Sequence, residues 1–306
     1  MAYPSVAGQP NYSGVFIPEV WSSKVIEKYY DGTILSQISN TNYEGEIKNQ
    51  GDKVIIRTLP TINIQDYEIG QTLVHQRPVG DTIELLIDKG LYWDVIIDDI
   101  VEKQQDINQM NKWAEDASEQ LKIVLDTRVL GSIVPDFSTE NVGTTAGRLS
   151  GNIDLGVTGS PLAITKSNIL DTILYAGQVL DEQNVPETGR FLVLPYWATT
   201  LLKMSDIKDA SLTGDGKTPL RNGRVGIIDR FTIYNSNLLP RYTDGGDATT
   251  HFIFGTDAGL TFATQLTKTE NLRAESTFAD IMRGLLVYGH KVIKPEALGA
   301  VYAKKG

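Results

Sequence analysis

The stretch Asp98–Ile133, DDIVEKQQDINQMNKWAEDASEQLKIVLDTRVLGSI, restricts the fold of this chain more than any other. From Ile107 an apolar line runs through Met110, Ala114, Ala117, Leu121 and Leu125, spaced by three and four, which predicts an α-helix. A second line of Trp113, Ile123 or Val124, Leu130 and Ile133 widens the apolar face. Asp99 followed by Glu102 has the form of a capping box, Asp106 offers a second start, and Pro135 limits continuation past Gly131. From Asp106 to Ile133 the helix would be a rod of about 40 Å. Its charged residues, Asp126 and Arg128 among them, are expected on a solvated or intersubunit face.

The other segments attach to this spine. Residues 1–18 have no apolar period, yet Tyr3, Tyr12, Val15, Phe16 and Ile17 are costly to leave in water, which suggests an arm laid over another surface. A short helix is expected next, with Trp21, Val25 and Tyr29 on one stripe and Gly32 ending it. Lys53–Thr58 and Thr82–Asp88 alternate as strands, with Ile83, Leu85 and Ile87 on one face. The 23 residues between them, punctuated by Pro60, Gly70, Pro78 and Gly80, make an extended hairpin with a long tip. A two-stranded hairpin is marginal alone, so a neighbouring subunit is expected to support it.

Leu91–Ile97 reads as a strand leading into the spine, with Trp93, Val95 and Ile97 packed against it. After Ile133 a Gly-, Ser- and Thr-rich stretch marks a subdomain boundary. Beyond it the pattern predicts a helix over 167–184 carrying Ile169, Ile173, Gly177 and Leu180, a buried strand Arg190–Leu194, and a short helix with Pro195 at its first position. Further segments follow at 226–234, 251–254, 260–264, 281–294 and 297–302. The arrangement is α+β, and no internal repeat is visible.

Chemistry finds little purchase. Ser211–Thr218, SLTGDGKT, matches only the end of a phosphate-cradling loop: Ser211 replaces the opening glycine, and Pro219 stands where the helix should begin. Lys217 is thus read as part of a surface loop. Ser205 and Lys208 form S-x-x-K without its companion strings. His75, His251 and His290 are scattered, so no histidine metal site or triad has local support. Asp98, Asp99 and Glu102 are read as helix-start carboxylates rather than a metal patch. Asp244 and Asp247, flanking Gly245 and Gly246, read as an exposed turn. No catalytic, cofactor-binding or metal residue is assigned. The 306-residue chain contains no cysteine, which removes disulfides and thiolate chemistry. Its net charge of −10 argues against a surface built to grip nucleic acid. No run is long and apolar enough for a membrane helix, and no membrane partner is expected.

Several strings, taken in order, resemble the major capsid proteins of tailed bacteriophages, the Hong Kong 97-type coat fold that encapsulin shells also use. They are FIPEVWSSKVIEKYY (Phe16–Tyr30), NYEGEIKNQGDKVIIRTLP (Asn42–Pro60), LIDKGLYWDVIIDDIVEKQ (Leu86–Gln104) and NGRVGIIDRFTIYNSNLLP (Asn222–Pro240). The resemblance implies an N-terminal arm at 1–41, an extended loop at 42–90 and a peripheral domain with the spine helix at 91–133. It further implies an axial domain at 134–260, peripheral return strands at 261–283 and axial C-terminal strands at 284–306. Implied too is self-assembly into hexamers and pentamers of an icosahedral head around double-stranded DNA, which is enclosed rather than specifically bound. Scaffolding, portal and decoration proteins would be partners, the scaffold as a separate chain. An encapsulin-like compartment is the alternative from the same fold, and a phosphate-handling enzyme around Lys217 the alternative from another class.

Overall fold

The computed structural model describes residues 30, 32–43, 53–60, 62–100, 109–205 and 226–306. The expected arm at 1–18, the stripe of Trp21, Val25 and Tyr29, the spine residue Ile107 and the Ser211–Thr218 string lie outside them.

Four helices and two sheets carry the described chain, with a separate hairpin. A one-turn helix α1 (Leu35–Ile38) comes first, followed by hairpin strands β1 (Lys53–Arg57) and β2 (Thr82–Leu86). Strand β3 (Lys89–Asp98) leads to the spine α2 (Gln109–Ser132), and Asp99 and Ile100 are helical as well. In β3 the alternation is as expected: Trp93 and Val95 are half-buried and Ile97 buried, while Tyr92 and Ile96 face out. Among the described residues, the spine's apolar lines enter the core near its C-terminal end, at Leu125, Val129 and Leu130, followed by Ile133. Trp113 and Val124 stay exposed.

After two short 3-10 turns come β4 (Leu162–Ile164), α3 (Ile169–Glu182), β5 (Arg190–Leu194) and α4 (Tyr196–Met204). The face expected for α3 is buried at Ile169, Ile173, Gly177 and Leu180. Pro195 stands one residue ahead of its expected place, as the N-cap of α4. The expected segment 226–234 is a tight hairpin of β6 (Ile227–Ile228) and β7 (Phe231–Asn235). Asp229 and Arg230 turn it with φ of 44° and 68°, the left-handed pair that a two-residue hairpin turn requires.

Strands β8 (Arg241–Asp244) and β9 (Asp247–Thr256) form the next hairpin, turned by Gly245 and Gly246. Two 14-residue strands, β10 (Leu260–Arg273) and β11 (Ala279–Val292), pair antiparallel, and β11 also takes β3 on its other side. The last strand, β12 (Leu298–Lys305), pairs with β9 and, in parallel, with β4. The larger sheet runs β4-β12-β9-β5-β7-β6, with β8 beside β9.

Both faces of the larger sheet are buried, and β5 shows why in five residues. Leu192 and Leu194 point to the side covered by α3 and α4, where they meet Ile173, Leu180, Leu202 and Phe254. Phe191 and Val193 point to the other side, where they meet Ile38 of α1 and Leu125, Val129, Leu130 and Ile133 of the spine. A strand covered on both faces reads as a continuous apolar run, as RFLVL does after its first residue. Arg190, fully buried, is accommodated by bonds to the Val185 and Pro186 carbonyls and to Asp181 at 2.7 Å.

Candidate assembly surface

The β1–β2 hairpin is built in two parts that differ in what holds them. At its base Val54 pairs with Leu85 and Ile56 with Ile83, which places their side chains on one face. That face closes a small core with Ile87, Ala263, Val287 and Ile293 of the same chain. The approach is close: a methyl group added at Gly289 of β11 would strike the Leu86 carbonyl and the Ile87 side chain. The base therefore finds its support inside the subunit, contrary to the expectation that the whole hairpin must borrow it. At the neck, the Thr58 amide and hydroxyl both donate to the Asp81 carbonyl at 2.8 Å.

Beyond the neck the described residues form no strand. Side-chain amides replace ladder bonds: Gln76 both accepts from the Asn63 N–H and donates to its carbonyl, and Gln71 closes a turn with Glu68 around Gly70. On this backbone Leu59 is 96% exposed, Ile64 93%, Ile69 100% and Val79 87%, with Ile62, Tyr67, Leu73 and Val74 also exposed. Burying one such side chain is worth about 1.5–3 kcal/mol. Eight of them on a narrow loop exceed what a monomer normally shows to water and mark a contact surface. These residues are not the ones singled out from the sequence, which in this loop are Pro60, Gly70, Pro78 and Gly80. The signal was present in the string LPTINIQDYEIGQTLVHQRPVG, where an apolar residue recurs every few positions.

A second exposed apolar surface lies on the outer face of the β10–β11–β3 sheet. Register places Ile96, Ile281 and Leu272 in one row and Tyr92 beside Leu285 in another. Between them Asp94, Arg283 and Glu270 form a polar row, Arg283 bonding Glu270 at 2.7 Å. Tyr92 is 81% exposed, and at the turn joining β10 to β11 Phe278 is 84% exposed.

Polar anchors fix the chain entering the hairpin. Asp126 of the spine is buried, and its Oδ2 accepts the Ile34 and Leu35 N–H groups at 2.6 and 3.2 Å. These are free donors at the start of α1, so the carboxylate caps it from 92 positions away. The expected solvated face is corrected here: Arg128 is exposed, but Asp126 is not. Burial pushes the Asp126 carboxyl above its ordinary range, opposed by the two backbone bonds. Nearer the spine's start, Tyr30 donates to Asp116 at 2.8 Å. Asn40 stitches the chain to β10: its backbone bonds Leu260 and Phe262, and its side chain bonds Thr261 and the Asp257 carbonyl.

The residues weighed for chemistry do not converge. His75 is exposed on the hairpin tip, His251 sits on β9 and His290 on β11. Burial holds both His251 and His290 down to about 4, and His290 Nε2 lies 2.8 Å from Ser132 Oγ. Asp98 is exposed, whereas the Asp99 carboxylate is taken by the Arg273 guanidinium rather than left free for a metal. Glu102, Lys208 and Lys217 lie outside the described residues. Asp247 is exposed at the β8–β9 turn as expected, but Asp244 is half-buried and accepts the Gly159 N–H at 2.6 Å. Among the described residues no group of three His, Asp or Glu could hold a metal ion, and no helix is long and apolar enough to cross a membrane.

No family model matches the chain, and neither does any curated protein. Solved structures do match. One from Mycobacterium phage Che8 is 25% identical at a TM-score of 0.78, over 93% of this chain and 96% of the other. The capsid structure of the cyanophage P-SCSP1u is 16% identical at a TM-score of 0.75, over 99% of both chains. The mature capsid of bacteriophage PhiM1 is 15% identical at a TM-score of 0.69, over 94% of this chain and 91% of the other. The α+β fold expected from the sequence is thus one shared with phage capsids along nearly the whole chain.

Proposed function

We propose that this chain is the major capsid protein of a tailed bacteriophage, self-assembling into the icosahedral head around double-stranded DNA. The observation that carries the proposal is the hairpin tip, whose apolar residues are exposed and packed on no other described element, on a chain whose fold is shared along nearly its whole length with phage capsids. In this reading residues 1–41 are the arm, 42–90 the extended loop, 91–133 and 261–283 the peripheral domain, and 134–260 with 284–306 the axial domain. Subunits form hexamers and pentamers. A separate scaffolding protein, a portal and decoration proteins are the partners, and the role is structural rather than enzymatic. A net charge of −10 fits a shell that encloses DNA without gripping it.

The test replaces Leu59, Ile64 and Ile69 by serine. Exposed positions affect the isolated subunit by within about 0.5 kcal/mol in denaturant unfolding. Assembly of the variant, co-expressed with its scaffold and viewed by electron microscopy, is expected to fail where the wild type gives closed shells or capsomer rings. Wild-type chains that remain monomeric under those conditions, or a variant that assembles normally, would refute the proposal.

A further inference from the structure

The spine-facing side of the larger sheet changes character along its strands. Where the spine and α1 cover it, Val193, Ile253 and Ala300 are apolar and buried. Further along β9 and β12, strand alternation brings Thr249, His251, Tyr302 and Lys304 to that same face, and pairing with Thr249 brings Tyr242 of β8. There the face opens into a cleft of about 360 Å³ lined by Thr158, Tyr242, Thr243, Asp244, His251 and Tyr302.

Its walls are aromatic, and the charged group in its lining is the Asp244 carboxylate. The His251 ring stands edge-on to Tyr242, centroids 5.4 Å apart, and lies 4.8 Å from Tyr302. Asp244 Oδ2 accepts from Gly159 and, at 3.3 Å, from Tyr302, which leaves Oδ1. His251 Nδ1 is buried with no hydrogen-bond partner. Because burial holds His251 down to about 4, the ring is neutral at neutral pH and brings no positive charge. Lys304, the cation on this face, is already bonded to Asp247 at 2.8 Å. Arg241 alternates to the opposite face of β8.

A ligand for this place must donate hydrogen bonds to a carboxylate, carry positive charge and present a flat surface to tyrosine rings. A guanidinium does all three, whereas an ammonium lacks the plane. We propose that the cleft between the β8–β9 hairpin and the 158–159 loop is a binding site for an arginine side chain presented by another protein chain. The guanidinium would bond Asp244 Oδ1 and stack on Tyr242. This inference does not rest on the capsid reading.

The probe is ethylguanidinium, titrated calorimetrically into the full-length protein at constant ionic strength. Saturable binding is expected at about 1–10 mM, as suits so small a fragment. Ethylurea, of the same shape without charge, is expected to give none. Asp244→Asn should weaken binding at least about tenfold, the loss of one charge-assisted contact. Tyr242→Leu, which keeps the carboxylate, should weaken it about threefold or more by removing the ring. Absence of saturation with ethylguanidinium, equal binding of ethylurea, or wild-type affinity in Tyr242→Leu overturns the proposal. Tyr242→Leu decides alone if Asp244→Asn does not fold.

Discussion

Asp126 offers the sharpest separation between two views of a buried carboxylate, as a charge the fold needs or as an oxygen the fold needs. Both the Ile34 and Leu35 N–H groups end on one oxygen, Oδ2, at 2.6 and 3.2 Å, and the residue is 3% exposed. Hydrogen bonds to a charged group contribute about 1.5–3 kcal/mol each, the longer one less. Asp126→Ala leaves both donors buried and unpaired, and is expected to cost about 3–5 kcal/mol. Asp126→Asn keeps one carbonyl oxygen for both donors and removes a charge that burial disfavours, so its cost is expected below about 1 kcal/mol. The pH dependence follows the same logic. With the folded carboxyl raised above 3.8, the folded state holds the proton more tightly than the unfolded one. Stability from this residue is therefore gained as pH falls through the window just above 3.8 and lost as it rises, a slope that Asp126→Asn should abolish. Chemical denaturation gives the global cost, and hydrogen exchange of residues 32–40 reports the α1 amides directly. Wild-type protection of Ile34 and Leu35 in Asp126→Ala, or equal damage from Asn and Ala, would refute the reasoning.

Gly289→Val should push the hairpin base off β11, because the added carbon meets the Leu86 carbonyl and Ile87. A loss of about 2–4 kcal/mol with faster exchange at 53–57 and 82–86 is expected, while Gly90→Ala, with nothing within 4 Å of the new carbon, serves as control. His251 and His290, both held down to about 4 by burial, make the folded state bind fewer protons than the unfolded one below about 6.5. Stability is therefore expected to fall as pH drops from 6.5 toward 4, by at most about 3 kcal/mol per histidine. The double variant His251→Gln, His290→Gln should flatten that limb in denaturant melts, and an unchanged slope would refute it.

Features carried by local periodicity were legible in the sequence, and those made by long-range pairing were not. The alternation of KVIIRT and TIELLID placed β1 and β2 to within two residues, and the apolar run after Arg190 placed β5 as a strand covered on both sides. Asp126 could not be read this way. It sits beside the apolar line on a helix otherwise rich in charge, and its donors come from 92 positions earlier in the chain. The β6–β7 turn escaped because Asp229-Arg230 lacks the Asn-Gly or Asp-Gly signature of left-handed hairpin turns. Tyr242 and Tyr302 are 60 positions apart, and only the pairing of β9 with both β8 and β12 makes them walls of one cleft.

The hairpin shows how such a reading is sharpened rather than replaced. Strand alternation correctly implied that Ile83, Leu85 and Ile87 needed cover, but could not say whose. Ala263 and Val287 supply it, because β10 and β11 run past the hairpin and Gly289 leaves room for the Leu86 backbone to settle against them. A buried base with Leu85 fully enclosed anchors the neck from which the tip departs. Fixing a loop in advance reduces the entropy lost when it is later covered. Apart from Ile55 and Leu86, exposed on the outer face of the base, the need for a partner falls on the tip beyond Thr58 and Asp81, and disrupting the root at Gly289 should impair assembly even with every tip residue intact.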